Sequence, residues 1–208
     1  MTATRGTVEG TEGRRRPGRV SLMRTAIGLM GERGYEGTST RDIASAAGVS
    51  VAALYYHFPS KLDLLREFLH EAHDVVLGRV AREIELAGPS ARARLDAAVA
   101  ALVWSNIHDA WARQAALVAW REHARLDEPD QRIIAKKRLQ LVDLLQGVVE
   151  DGVAVGEFHT AEPRAVARAV LTLCVSVIDP FADAPPPMAR VIEIQQGLAA
   201  ALAGAAPA

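Results

Sequence analysis

The chain has a single cysteine, few aromatic residues and no long apolar run, and each shortage narrows what it can be. Cys174 alone cannot close an intrachain disulfide, which excludes a disulfide-built secreted scaffold and fits a reducing cytoplasm. It sits in the apolar run AVLTLCVSVI, where a small buried filler is the simplest role. No apolar stretch reaches the ~20 residues needed to span a bilayer. The N-terminus, with Glu9 and Glu12, is too polar for a secretory signal. The expectation is a soluble cytoplasmic protein with no membrane partner. A Gly-rich phosphate loop, a nucleophile elbow and zinc-ligand spacing are also missing. Glu67-x-x-His70 resembles half of a di-iron helix motif but has no second copy. His70 and His73 read as part of a solvated, charged helix face. No enzyme, cofactor or metal site is expected.

What is present favours helices. Aromatics make up 5% of 208 residues and hydrophobic residues 50%, with Ala, Leu and Val prominent. Alternating strand patterns and internal repeats are absent, so the expected fold class is all-α. Residues 1–18 are rich in Gly, Thr and Arg without apolar periodicity and read as a disordered basic arm. Residues 19–60 read as a small DNA-binding domain of three helices. Residues 61–208 read as a helical body with helices at 61–87, then after Gly88-Pro89-Ser90 one carrying Leu95 to Ile107, and further helices at 110–126, 128–151, 163–178 and 187–203. The net charge of −1 hides an uneven distribution. Through Lys61 there are nine Lys/Arg against five Asp/Glu, and beyond it fifteen against twenty. A positive head on an acidic body suits a polyanion at one end only.

The segment STRDIASAAGVSVAALYYHFPSK carries the clearest motif. Ser39 followed by Asp42 three residues later is a capping-box variant, Gly48 ends the short helix, and Ser50 caps the next. Ala44, Gly48 and Leu54 supply what two helices crossing at a tight turn require: a small contact residue, a left-handed glycine and an apolar plug. Ile43, Ala47, Val49, Tyr55 and Phe58 complete a small core with Ile27 and Met30.

This segment resembles the DNA-binding signature of the TetR family of transcriptional regulators. The likeness is dense over about Ala26–Leu65, including GERGYEGTS before the turn and LYYHFPSK after it. Beyond residue 65 it is one of architecture. The resemblance implies a helix-turn-helix reading double-stranded operator DNA, a helical ligand-binding and dimerising body, and repression as the usual outcome. It implies that Tyr56, His57 and Lys61 hold phosphates and that Arg41 reaches a base. Ser39, Thr40 and Ser50 stand at helix N-termini, where amides attract phosphate. Val51, Ala52 and Ala53 occupy the base-reading positions, yet they offer methyl contacts rather than bidentate bonds. Tyr55 is partly core and presents an edge to a thymine. Arg14, Arg15, Arg16 and Arg19 form a basic cluster that follows phosphates, enters a minor groove or remains a nonspecific solvated tail.

In the body, Trp104, His108 and Trp111 recur on one helical face, followed by Trp120 and His123. They form either a wall of a ligand pocket for a small, hydrophobic effector or ordinary packing. Val166, Ala169, Val170, Leu173 and Val177, with Val191, Ile194, Leu198 and Leu202, form the expected homodimer face on the last two helices. The rival reading is a DNA-binding protein without a small-molecule sensor.

Overall fold

A computed structural model describes residues 18–178 and 187–205. Among the described residues there are nine α-helices and no strand: α1 Arg19–Arg33, α2 Thr40–Ala47, α3 Val51–His57, α4 Lys61–Leu86, α5 Ala91–Ile107, α6 Ala110–Arg121, α7 Glu128–Ala154, α8 Pro163–Ser176 and α9 Met188–Leu202. The fold is all-α, as the composition implies. The proposed basic arm lies outside the described residues except for Gly18. No described helix is long and apolar enough to cross a membrane.

The helix ends follow local chemistry. Ser39 caps α2 in a reciprocal box: its hydroxyl accepts from the Asp42 amide, and its own amide donates to Asp42 Oδ2 at 2.8 Å. Gly48 adopts φ 67° and ψ 33°, the left-handed conformation that lets α3 leave at a sharp angle. Ser50, Ser60, Ser90, Asp109 and Asp127 cap α3 to α7 in the same manner, each accepting a backbone N–H two or three residues on.

The helix expected over 110–126 is interrupted. Helix α6 stops at Arg121, and His123–Arg125 form a short 3-10 turn. The cause is a set of tertiary demands. Arg125 reaches back to Glu122 and across to Glu36 beside α1, while Leu126 turns inward and is 3% exposed. Regular α-helical continuation cannot meet both.

Two apolar clusters hold the molecule. One joins α5, α7, α8 and α9 through Leu95, Val99, Leu145, Val149, Val170, Cys174 and Ala199. Burial pushes the Cys174 thiol up to about 12, so it is a filler rather than a nucleophile. The other joins Leu22, Ile27 and Met30 of α1 with Ile43, Leu54, Phe58 and the first turns of α4, and takes in Val118 of α6 and Ile134 of α7. Each such side chain contributes about 1.5–3 kcal/mol when buried. The N-terminal head therefore shares its core with the body, across the expected boundary between residues 60 and 61.

Candidate DNA-reading head and ligand cavity

Helices α2 and α3 place the expected DNA-binding residues along one edge of the head, but the structure gives several of them internal partners. The Ser39 hydroxyl is held by Asp42, and the Ser50 hydroxyl accepts from the Ala53 amide at 3.1 Å. Thr40 Oγ1 lies 3.5 Å from the Tyr55 hydroxyl, linking α2 to α3. Tyr55 is 45% exposed, more open than a core role requires. Lys61 Nζ donates to the carbonyls of Tyr35 at 2.8 Å and Thr38 at 2.9 Å, and lies 3.9 Å from the centre of the Tyr35 ring. Two of its three N–H groups thus pin the α1–α2 loop, leaving one for a phosphate.

Arg41 and Ala52 are exposed, Tyr56 is 86% exposed, and Val51, Ala53 and His57 are half-buried. Arg19, grouped by sequence with the basic arm, belongs instead to α1. It forms two hydrogen bonds with Glu67, one of them 2.7 Å from Nε, and stacks 4.7 Å from the Phe58 ring. Arg14, Arg15 and Arg16 lie outside the described residues.

Behind the head, α1, α4, α5, α6, α7 and α8 surround a largely apolar cavity of about 890 Å³ that opens to solvent. This lies within the ~300–1,000 Å³ typical of small-molecule sites. Trp104, His108, Trp111 and Trp120 line it, whereas His123 does not. His123 is held by the Trp120 carbonyl, 2.8 Å from Nδ1, in the turn that ends α6. Trp104 and His108 stack with their ring centres 3.7 Å apart, and Arg79 covers the other side of Trp104 at 3.9 Å.

The residues that sequence reading missed lie on α4 and α7. The solvated-face reading of His73 does not hold: it lines the cavity and is half-buried. Its Nδ1 donates to the Leu69 carbonyl at 2.7 Å, and its Nε2 accepts from Arg138 Nε at 3.3 Å. That pattern fixes a neutral imidazole. Burial holds its pKa below the ordinary 6.5; the Leu69 bond opposes this and the Arg138 charge adds to it. His70 is also engaged, with Asp130 Oδ1 at 2.9 Å. The available signal was the helical spacing of Phe68, Ala72, Val76 and Arg79, which sets His73 beside an apolar stripe.

The depressed pKa has a sign. The unfolded chain takes up the His73 proton first, so this stability term is full above about pH 6.5 and is lost as pH falls toward the lower folded value. The urea midpoint should drop between about pH 7.5 and about pH 5.5, and His73→Gln should flatten that drop. Equal slopes for the two proteins would show that His73 titrates as it does in the unfolded chain.

Helix α6 connects cavity and head. Trp111 lines the cavity while its Nε1 donates to the Arg24 carbonyl of α1 at 3.0 Å, and Arg24 lies 4.3 Å from the Trp111 ring centre. Farther along α1, Gly31 faces Gln114 so closely that a β-carbon would collide with its side chain.

The family model of bacterial regulatory proteins of the tetR family matches residues 22–68, and that of the tetracyclin repressor-like C-terminal domain matches residues 88–182. A curated relative, the HTH-type transcriptional repressor KstR2 of Rhodococcus jostii, is 32% identical over 144 residues, 68% of each chain. The chain belongs to the TetR family of transcriptional regulators. A solved tetR-family regulatory protein from Rhodococcus RHA1 superposes with a TM-score of 0.80 at 27% identity, covering 92% of this chain and 100% of that one. AibR, in complex with isovaleryl coenzyme A and operator DNA, superposes with a TM-score of 0.77 at 22% identity, covering 90% and 99%. At that identity the likeness to AibR is one of fold. This TetR-family chain is a DNA-binding regulator rather than an enzyme, and α2–α3 is its helix-turn-helix.

Proposed function

We propose that the protein is a repressor that binds a palindromic operator as a homodimer and is released by a small, largely apolar molecule. The observation that carries this reading is the shared wall: Trp111 of α6 faces the cavity with its ring and holds α1 of the head with its N–H. A ligand that shifts α6 must therefore move α1 or break that bond. Release then follows from differential affinity of the ligand for the two arrangements. AibR, which shares the fold, carries an acyl thioester and operator DNA together.

Val166 and Val170 point into the chain's own core, while Ile194, Leu198 and Leu202 form an exposed stripe along α9, each more than 40% exposed. That stripe is the surface we assign to the partner copy.

On DNA, Tyr56, His57 and the remaining N–H of Lys61 hold phosphates, with Thr40 and the amides of the α2 and α3 N-termini beside them. Arg41 reads a guanine, and Val51, Ala52, Ala53 and the Tyr55 edge meet thymine methyls. Arg41→Ala should cost about 1–3 kcal/mol on the operator and relax preference at one position per half-site. Equal loss on operator and scrambled DNA, read by gel shift, would remove Arg41 from base reading. The wider test is a footprint on DNA upstream of the gene, with and without a small-molecule extract of the producing cells. The expected result is a protected palindrome that the extract erases. Protection that no extract alters would leave a DNA-binding protein without a sensor.

A further inference from the structure

The cavity lining is apolar in area but cationic in charge. Arg24, Arg79, Arg121 and Arg138 line it against one carboxylate, that of Glu71, which is exposed. Arg24 has Asp109 at 3.9 Å. Arg79, Arg121 and Arg138 form no ion pair among the described residues; Arg121 is exposed, whereas Arg79 and Arg138 are half-buried. Arg79 Nε is buried with no hydrogen-bond partner among the described residues, and its guanidinium carbon lies over the Trp104 ring, 3.9 Å from its centre. Arg138 donates only to the neutral His73 ring, and burial lowers its pKa from the ordinary value. Nearby cations are treated otherwise; Lys137, one residue away on α7, reaches Asp74 at 2.8 Å.

A guanidinium half withdrawn from water with no anion beside it is unfavourably placed, and an anion arriving in the cavity would offset that cost. The guanidinium fork matches carboxylate and phosphate. The rest of the lining is largely apolar, with Phe68, Leu102, Leu117, Leu141, Leu171 and Val175, and is broken by Ser105, Asn106, Thr172 and Ser176. We infer that the cavity takes an amphipathic anion, with its apolar body among these side chains and its anionic groups paired with Arg79 and Arg138. This rests on the sensor reading above and names the class of its effector. The anion has two possible sources, a free carboxylate or the phosphates of a coenzyme A thioester.

The test is calorimetric titration of the full chain with octanoate, dodecanoate, their coenzyme A thioesters, and the matched alcohols 1-octanol and 1-dodecanol. At least one anionic form should bind roughly ten- to a hundredfold more tightly than its alcohol, the gain expected of charge-assisted bonds. Tighter free acid identifies a carboxylate effector; tighter thioester identifies the phosphates. Arg79→Gln and Arg138→Gln should erase that margin while leaving alcohol binding unchanged, with melting curves to check folding. Should a variant fail to fold, the wild-type anion–alcohol margin decides alone. Alcohols binding as tightly as anions would overturn the proposal and leave the sensor reading standing. Binding by none of the six would overturn it too, and the extract footprint then shows whether the sensor reading falls with it.

Discussion

Phe58→Ala should remove DNA binding and lower the melting temperature by roughly 10 °C or more, from a cost of about 3–5 kcal/mol. Phe58 is 2% exposed and fills the space under α3, between α1 and the first turns of α4. Arg19 stacks on its outer side while bonded to Glu67, so the truncation also loosens the entry to α1. Because the head shares its core with α6 and α7, the damage spreads into the body rather than unfolding an isolated module. A melting shift below about 3 °C with operator binding intact would show that Phe58 does not hold the two crossing helices.

Gly31→Val should damage function out of proportion to the size of the change. A β-carbon at Gly31 runs into Gln114 at its side chain and crowds the α6 backbone, which no rotamer change relieves. Overpacking of this kind costs about 1–3 kcal/mol, and the strain falls on a crossing that joins cavity to head. Operator affinity should fall by tenfold or more. Gly28→Ala is the internal control: its nearest neighbour is Trp111 Cδ1 at 3.9 Å, an ordinary contact. There the gain in helix propensity should leave stability equal or higher by about 0.5–1 kcal/mol. If both variants bind operator like the wild type, the α1–α6 crossing does not carry the signal.

The parts of this protein legible in its sequence are those fixed by local rules. Serine caps, the left-handed Gly48 and three- and four-residue apolar spacing account for the described helices other than α6, because each depends on neighbours in the chain. The exception, α6, breaks where Arg125 answers to Glu36 of a different element, which no local pattern records. The same divide runs through the sites. Trp104, His108, Trp111 and Trp120 were visible as an aromatic cluster, and they do line the cavity. His73, Arg79 and Arg138 were not, because charged residues on a long helix look solvated until the neighbouring helices are in place. Lys61 carries the same lesson inside the head. Its motif position suggests DNA, yet most of its hydrogen bonding is spent on the Tyr35 and Thr38 carbonyls.

The pattern of exposure also refines how the head can read DNA. Its capping serines are satisfied internally, and the middle of α3 presents small apolar groups. Polar reach is left chiefly to Arg41 at the front and to Tyr56 and His57 at the back. On the function proposed above, such a head would gain affinity from phosphates and discrimination from few positions, and control by the body would matter more than a dense base code.

That control is the central claim, and linkage tests it most directly. If α6 couples the cavity to the head, operator and effector must weaken each other by the same factor. The measurement is the affinity of the effector that releases DNA, taken for free protein and for protein saturated with operator. The account predicts binding at least tenfold weaker in the presence of operator, and no change with scrambled DNA. Equal affinity in all three states would contradict it.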